Sequence, residues 1–281
     1  MTGALVFLAV PLALLALVLL VGFSGCGLNS DPTGFPWVDP ILETPGLVSY
    51  WHLNEPGPPV AADANGLHDG AYVSGPIAED PADESAGAPG TLDFQLPSLL
   101  SSDPTRRSIA VNGARVEVDF TPDLNTPQFT VIAWVKTGWR SDDVAAYRAV
   151  LDSRDFVSGA MLGYAIFANP ANEWTAWIGD GAPGNGLQAS TGVTIALGTI
   201  DFLAMTFDGT TLKLYVNGEE RLSVAAATYA PNAERKLYIG EGAPMLPTPF
   251  FPFVGLLEDV AYFKAALDHE TIVTIGFGAS G

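Results

Sequence analysis

Beyond Gly46, short runs of β-branched and aromatic residues recur between clusters of Gly, Pro, Asn and Asp, and no stretch sustains a helical apolar stripe. The pattern predicts strands over 47–53, 115–120, 129–136, 149–152, 164–168, 174–178, 201–207, 212–216, 236–239 and 255–263. About ten strands imply two packed sheets. The clearest local signal runs from Phe202 to Glu219, where two strands flank Asp208-Gly209-Thr210 and a further turn follows at Asn217-Gly218. Asp-Gly and Asn-Gly supply the positive φ that tight turns demand. Between them Leu212, Leu214 and Val216 point one way, and Lys213 and Tyr215 the other, so one face is expected to pack and one to meet solvent. Residues 268–275 suit a short closing helix with Asp268 as N-cap.

Before this region lies a different pattern. Residues 4–23 form an uncharged apolar run, long enough as a helix to span roughly 30 Å of hydrocarbon. It has no basic start and exceeds the core of a cleavable signal, so it is read as an uncleaved N-terminal transmembrane helix, with Pro11 inside it. The expected organisation is an anchor over 1–26, an extended Pro- and Gly-rich tether over 27–45, and one sandwich domain over 46–281. Cys26, the sole cysteine, follows Phe23-Ser24-Gly25. That sequence is either a lipobox-like lipidation site or a small-residue exit from the helix. A single cysteine leaves no intramolecular disulfide, so the fold rests on its core.

Charge narrows the partners. Lys and Arg total 12 against 31 Asp and Glu, a formal net charge of −19, which excludes nucleic acid as the expected partner. Twelve acids lie between Asp31 and Asp103, and the first Lys or Arg is Arg106. The acidic domain is expected on the extracytoplasmic side, periplasmic or at the cell surface, with membrane lipid met only through the N-terminal helix.

Three separated stretches carry a family resemblance. They are GLVSYWHLNE from Gly46 with the following VAADANGLHDGAYV, then FTVIAWVKT with MTFDGTTLKLYVNGE, and finally FVGLLEDVAYFKAALDHETI. In this order they resemble the laminin G-like or pentraxin-like branch of the concanavalin A-like lectin and glucanase superfamily. The resemblance implies an all-β, two-sheet antiparallel jelly-roll sandwich behind the membrane helix. It also implies a Ca2+ site at Asp63 and Asn65, in a loop with Asp69, and Glu258 and Asp259 are further candidate ligands whose hard oxygens suit that ion.

The paired carboxylates of the superfamily's glucanases are not matched, because Glu117-Val118-Asp119 is followed by Pro122 where a third acid would stand. His52, His68 and His269 lack metal-ligand spacing. A non-enzymatic role is expected. Trp139, Trp174 and Trp177 are candidate glycan-stacking rings, or core. Met245, Phe250, Phe251 and Phe253, in a Pro-interrupted stretch, are candidate protein-docking residues, or a cover for the sandwich. The expected function is an accessory subunit contacting other proteins of a membrane complex, and the alternative is a membrane-tethered, lectin-like glycan binder.

Overall fold

The computed structural model describes residues 39–74, 90–100, 105–140, 146–184, 186–226, 228–243 and 251–278. The expected anchor over 4–23 and Cys26 lie outside these residues. Among the described residues no helix is long and apolar enough to cross a membrane.

A compact unit begins at Asp39. Its first element is α1 (Pro40–Glu43), capped by Asp39, whose Oδ1 accepts the Ile41 amide at 2.9 Å, and Ile41 is buried. The end of the expected tether therefore belongs to the domain, because a capped turn carrying one apolar side chain into the core outweighs the Pro-rich composition around it. The strands follow in chain order: β1 (Leu47–Trp51), β2 (Val60–Ala61), β3 (Gly70–Val73), β4 (Thr91–Pro97), β5 (Arg107–Asn112), β6 (Arg115–Val118), β7 (Phe129–Thr137), β8 (Arg148–Asp152), β9 (Asp155–Val157), β10 (Ala160–Leu162), β11 (Tyr164–Ala168), β12 (Glu173–Ile178), β13 (Leu187–Thr194), β14 (Ile200–Phe207), β15 (Thr211–Val216), β16 (Glu219–Ala225), β17 (Leu237–Ile239) and β18 (Val254–Phe263). The closing helix α2 (His269–Phe277) is capped by Asp268, whose side chain accepts the Thr271 amide at 2.8 Å.

The first antiparallel sheet has the order β16-β15-β14-β7-β18-β5-β4, with β1 also paired to β18, and the second has the order β13-β12-β11-β8-β17-β6-β3-β2. Between them lies the core. Val131, Val135, Leu203, Met205 and Leu214 of the first sheet meet Val116, Val118, Val150, Ile166, Ile178 and Ile239 of the second. Period-2 alternation of the strands places these residues inward, as in a sandwich or jelly roll.

The outer face of the first sheet is not simply solvated. Tyr50, Ile132, Trp134, Phe202, Tyr215 and Phe263 pack there under Ile41 of α1 and Ile272 and Ile275 of α2. Tyr215, expected in solvent, is thus buried, with His269 stacked on it at 5.8 Å between ring centroids. The helix covers what strand alternation alone would leave wet. Asn217 and Gly218 close the β15–β16 hairpin at φ of 54° and 78°, the left-handed pair that this two-residue turn requires.

Candidate functional site

Of the five expected calcium ligands, Asp63, Asn65 and Asp69 share one loop, Tyr50 links that loop to Asp259, and Glu258 stands apart from both. Asp63 Oδ1 accepts the amides of Tyr50 at 2.8 Å and Asn65 at 3.0 Å, and its Oδ2 accepts those of His68 at 3.0 Å and Leu67 at 3.2 Å. A carboxylate offers about four acceptor directions, and backbone amides occupy them. The Asn65 amide nitrogen donates to the Val48 carbonyl at 2.9 Å, and Asp69 Oδ1 accepts the Asp63 amide at 2.8 Å.

At the phenol end of Tyr50 lies Asp259, which accepts from the Tyr50 hydroxyl at 2.7 Å and is paired to Arg106. Arg106 also pairs with Asp39, and these carboxylates hold its guanidinium protonated well above the ordinary range, against the effect of burial. His52 Nδ1 stands 3.2 Å from Asp259. Glu258 points elsewhere, accepting the Leu99 amide at 2.5 Å and the Ser98 hydroxyl at 2.8 Å, and burial pushes its carboxyl up to about 7. The sequence-adjacent acids thus staple strands and caps. Among the described residues no group of three or more His, Cys, Asp or Glu is placed to hold a metal ion.

The three candidate stacking tryptophans are buried and offer no open ring. Trp174 faces the core and donates to Asp201 Oδ2 at 2.9 Å; Trp139 donates to Asn172 Oδ1 at 3.1 Å beneath the Arg148 guanidinium. Trp177 is on the outer face of the second sheet but lies 5.6 Å from the Arg154 guanidinium, which also sits 4.6 Å from the Phe251 ring. Phe251 and Phe253 are buried too, so at these two positions the rings cover the sandwich, the alternative to docking that the sequence left open. Met245 and Phe250 lie outside the described residues.

On the outer face of the second sheet, Trp177, Ala165, Asp152, Tyr238 and Glu117 stand in one cross-strand row. Its charges are mutually satisfied. Arg154 reaches Asp152 at 2.5 Å, and Arg115 reaches Glu117 at 2.6 Å and Glu241 at 3.1 Å. Lys236 bridges Glu117 and Asp119 at 3.2 and 3.1 Å. Burial raises the Glu241 carboxyl to about 7.

The first sheet offers a different surface. Beyond the patch covered by α1 and α2, an open groove of about 360 Å³ runs across β4, β5, β18 and β7. Register places Asp93, Ala110, Leu256 and Lys136 in one row, with Thr91 paired to Asn112 two residues along. Between the polar ends lie the Ala110 and Leu256 side chains and close-packed backbone at two glycines, for a Cβ on Gly255 (φ 152°) would lie 2.2 Å from the Lys136 carbonyl oxygen, and one on Gly138 would lie 3.0 Å from the Gly255 Cα. Thr91, Asp93, Asn112 and Lys136 line this groove, and among the described residues their side chains make no hydrogen bond or ion pair. They were not marked as candidates in the sequence. The alternation of Leu92, Phe94 and Leu96 with Thr91, Asp93 and Gln95 is the signal that could have revealed β4 and its outward polar row.

Two facing antiparallel sheets around one apolar core define a jelly-roll type β-sandwich. The laminin G-type family of the concanavalin A-like lectin/glucanases superfamily matches residues 110–273, more than half of the chain, and the protein belongs to that family. No curated protein sequence matches it significantly. Among solved structures it is similar to domain 4 of an extracellular arabinanase from Geobacillus stearothermophilus, in complex with arabinotriose (15% identity, TM-score 0.54, 82% of this chain and 98% of that one). It is also similar to the Trypanosoma rangeli sialidase (16%, TM-score 0.55, 90% and 35%). A third is botulinum neurotoxin type C, whose cell entry depends on two ganglioside molecules (12%, TM-score 0.52, 82% and 50%). The chain thus spans about a third of the sialidase and half of the toxin chain. At these identities the likeness concerns the fold.

Proposed function

We propose that this protein is a non-catalytic carbohydrate-binding protein, tethered to a membrane by its N-terminal apolar segment with the sandwich on the extracytoplasmic side, and that it contacts glycan through the groove of the first sheet. The observation that carries this reading is the gathering of Thr91, Asp93, Asn112 and Lys136 around a shallow floor of Ala110, Leu256 and glycine backbone. A carboxylate, a carboxamide, a hydroxyl and an ammonium supply the donors and acceptors that sugar hydroxyls need, and none is spent within the domain. Similarity to an arabinanase domain in complex with arabinotriose supports it. The paired charges on the second sheet favour a binding role over catalysis, since Lys236 holds both Glu117 and Asp119.

The purified full-length chain on a glycan array tests the reading. Binding that is lost in Asp93→Ala and Asn112→Ala is expected; a blank array with correctly folded protein would sink it. The accessory-subunit reading still draws on the 20-residue apolar run with Pro11 inside it. Recovery of a stable complex in mild detergent would support that role, and a lone monomer would count against it.

A further inference from the structure

We propose that the groove of the first sheet selects an acidic sugar residue, seating an anionic substituent on the Lys136 ammonium and vicinal hydroxyls on Asp93 and Asn112. This rests on the glycan-binding reading above and names the class of sugar.

The argument begins with the scarcity of cations. The chain has 12 Lys and Arg against 31 Asp and Glu, so carboxylates are in excess everywhere. Arg106, Arg115, Arg154, Lys213, Arg221, Arg235 and Lys236 each hold a carboxylate within ion-pair distance. Among the described residues Lys136, like Lys264, holds none, and Lys136 is the one that lines the groove, where it is only partly exposed. Its cross-strand neighbours are Leu256 on one side and Ile200 on the other, so nothing in the sheet neutralises it.

Asp93 is the acid on the same row, and it cannot serve. Asp93, Ala110, Leu256 and Lys136 lie on four successive strands, which separates the two charged residues by roughly 14 Å along the sheet. That is well beyond an ion pair, and a sugar ring fits the interval. Opposite charges fixed at the two ends of a groove select a ligand with opposite polarity at its own two ends. An ammonium is a compact point charge that makes its stronger, charge-assisted hydrogen bonds to anionic oxygens. A carboxylate accepts paired bonds from adjacent hydroxyls, and the Asn112 amide adds a donor and an acceptor. The net charge of −19 does not forbid an anionic ligand, because in physiological salt charges separated by more than about 8 Å are largely screened. Only the nearest charge governs the anionic group, and among the described lining residues the one cation is Lys136.

Among the described residues the lining of the groove contains no aromatic residue. Stacking therefore contributes nothing, and discrimination falls to the polar contacts.

Titration calorimetry on the full-length chain tests this with three probes: oligogalacturonate, its fully methyl-esterified form, and a sulfated galactan. Oligogalacturonate is expected to bind at least tenfold more tightly than its methyl ester, and Lys136→Gln to erase that difference while Lys136→Arg retains it. Tighter binding of the sulfated galactan would identify sulfate as the anionic group, still through Lys136. Equal binding of the charged and esterified forms, unaffected by Lys136→Gln but weakened by Asp93→Asn, would overturn the acidic-sugar assignment and leave the glycan reading standing. No binding by any probe, together with a blank glycan array, would remove both.

Discussion

The Tyr50 amide donates to Asp63 Oδ1 at 2.8 Å, across 13 residues of chain. With the amides of Asn65, Leu67 and His68 on the same carboxylate, it ties the loop after β2 to strand β1. Asp63→Ala strands these donors, several of them shielded from water, and is expected to cost roughly 2–4 kcal/mol in urea unfolding. Asp63→Asn, which keeps one acceptor oxygen, should cost less. Because the acceptor directions are taken, the melting temperature of the wild type is expected to be the same in millimolar calcium and in chelator. A rise with calcium would show that the loop rearranges to take the ion.

Arg106 lies between Asp39, which caps α1, and Asp259 on β18. Both carboxylates are nearly inaccessible to solvent. Arg106→Met leaves two buried anions without their partner and is expected to destabilise by roughly 3–5 kcal/mol, read from chemical denaturation. Adding Asp259→Asn should recover part of that loss, since the second change removes one of the stranded charges.

Glu241 and Glu258 are each pushed up to about 7 by burial, whereas in the unfolded chain they titrate near 4.5. Between these values the folded state holds protons that the unfolded state has released. Their contribution to stability is therefore full below about pH 4.5 and is lost as pH rises to about 7. Each would contribute a slope of up to about 1.4 kcal/mol per pH unit in that window. Unfolding free energy measured from pH 4.5 to 8 should show a smaller decline in Glu258→Gln and in Glu241→Gln, and the smallest in the double variant.

Gly255 has φ 152°, and a Cβ there would come 2.2 Å from the Lys136 carbonyl oxygen. Gly255→Ala is expected to separate β18 from β7 at the groove floor, with a loss of roughly 1–3 kcal/mol. The same change should weaken glycan binding even at temperatures where the protein remains folded.

The ten strands expected from β-branched and aromatic runs are all present, with ends displaced by at most two residues. Of the others, β2, β3, β9 and β10 are only two to four residues long, and the longer ones carry many polar residues. β13 and β16 are edge strands rich in polar residues, and β4 and β5 hide their alternation among Asp, Gln, Arg and Ser. The turns at Asp208-Gly209 and Asn217-Gly218 and the cap at Asp268 were legible because each is set by one or two residues. The groove was not, because it requires knowing that Asp93 and Lys136, 43 positions apart, share a row across strands that do not touch. The choice between stacking ring and core was open for the tryptophans for a similar reason: ring chemistry can be read from a sequence, but whether a ring faces solvent depends on register and on what covers the sheet.

The two ends of the domain converge. Ile41 of α1 and Ile272 and Ile275 of α2 share one patch, and inward from them Leu47 is paired with Phe263. Tension applied between residues 39 and 278 would first peel two short helices from that patch. It would then meet the β1–β18 ladder at one end and open its hydrogen bonds in succession, like a zipper, instead of shearing them together. The fold can therefore yield to a modest mechanical load between its ends, which suits a domain held by one end far better than one strung in series along a load-bearing chain.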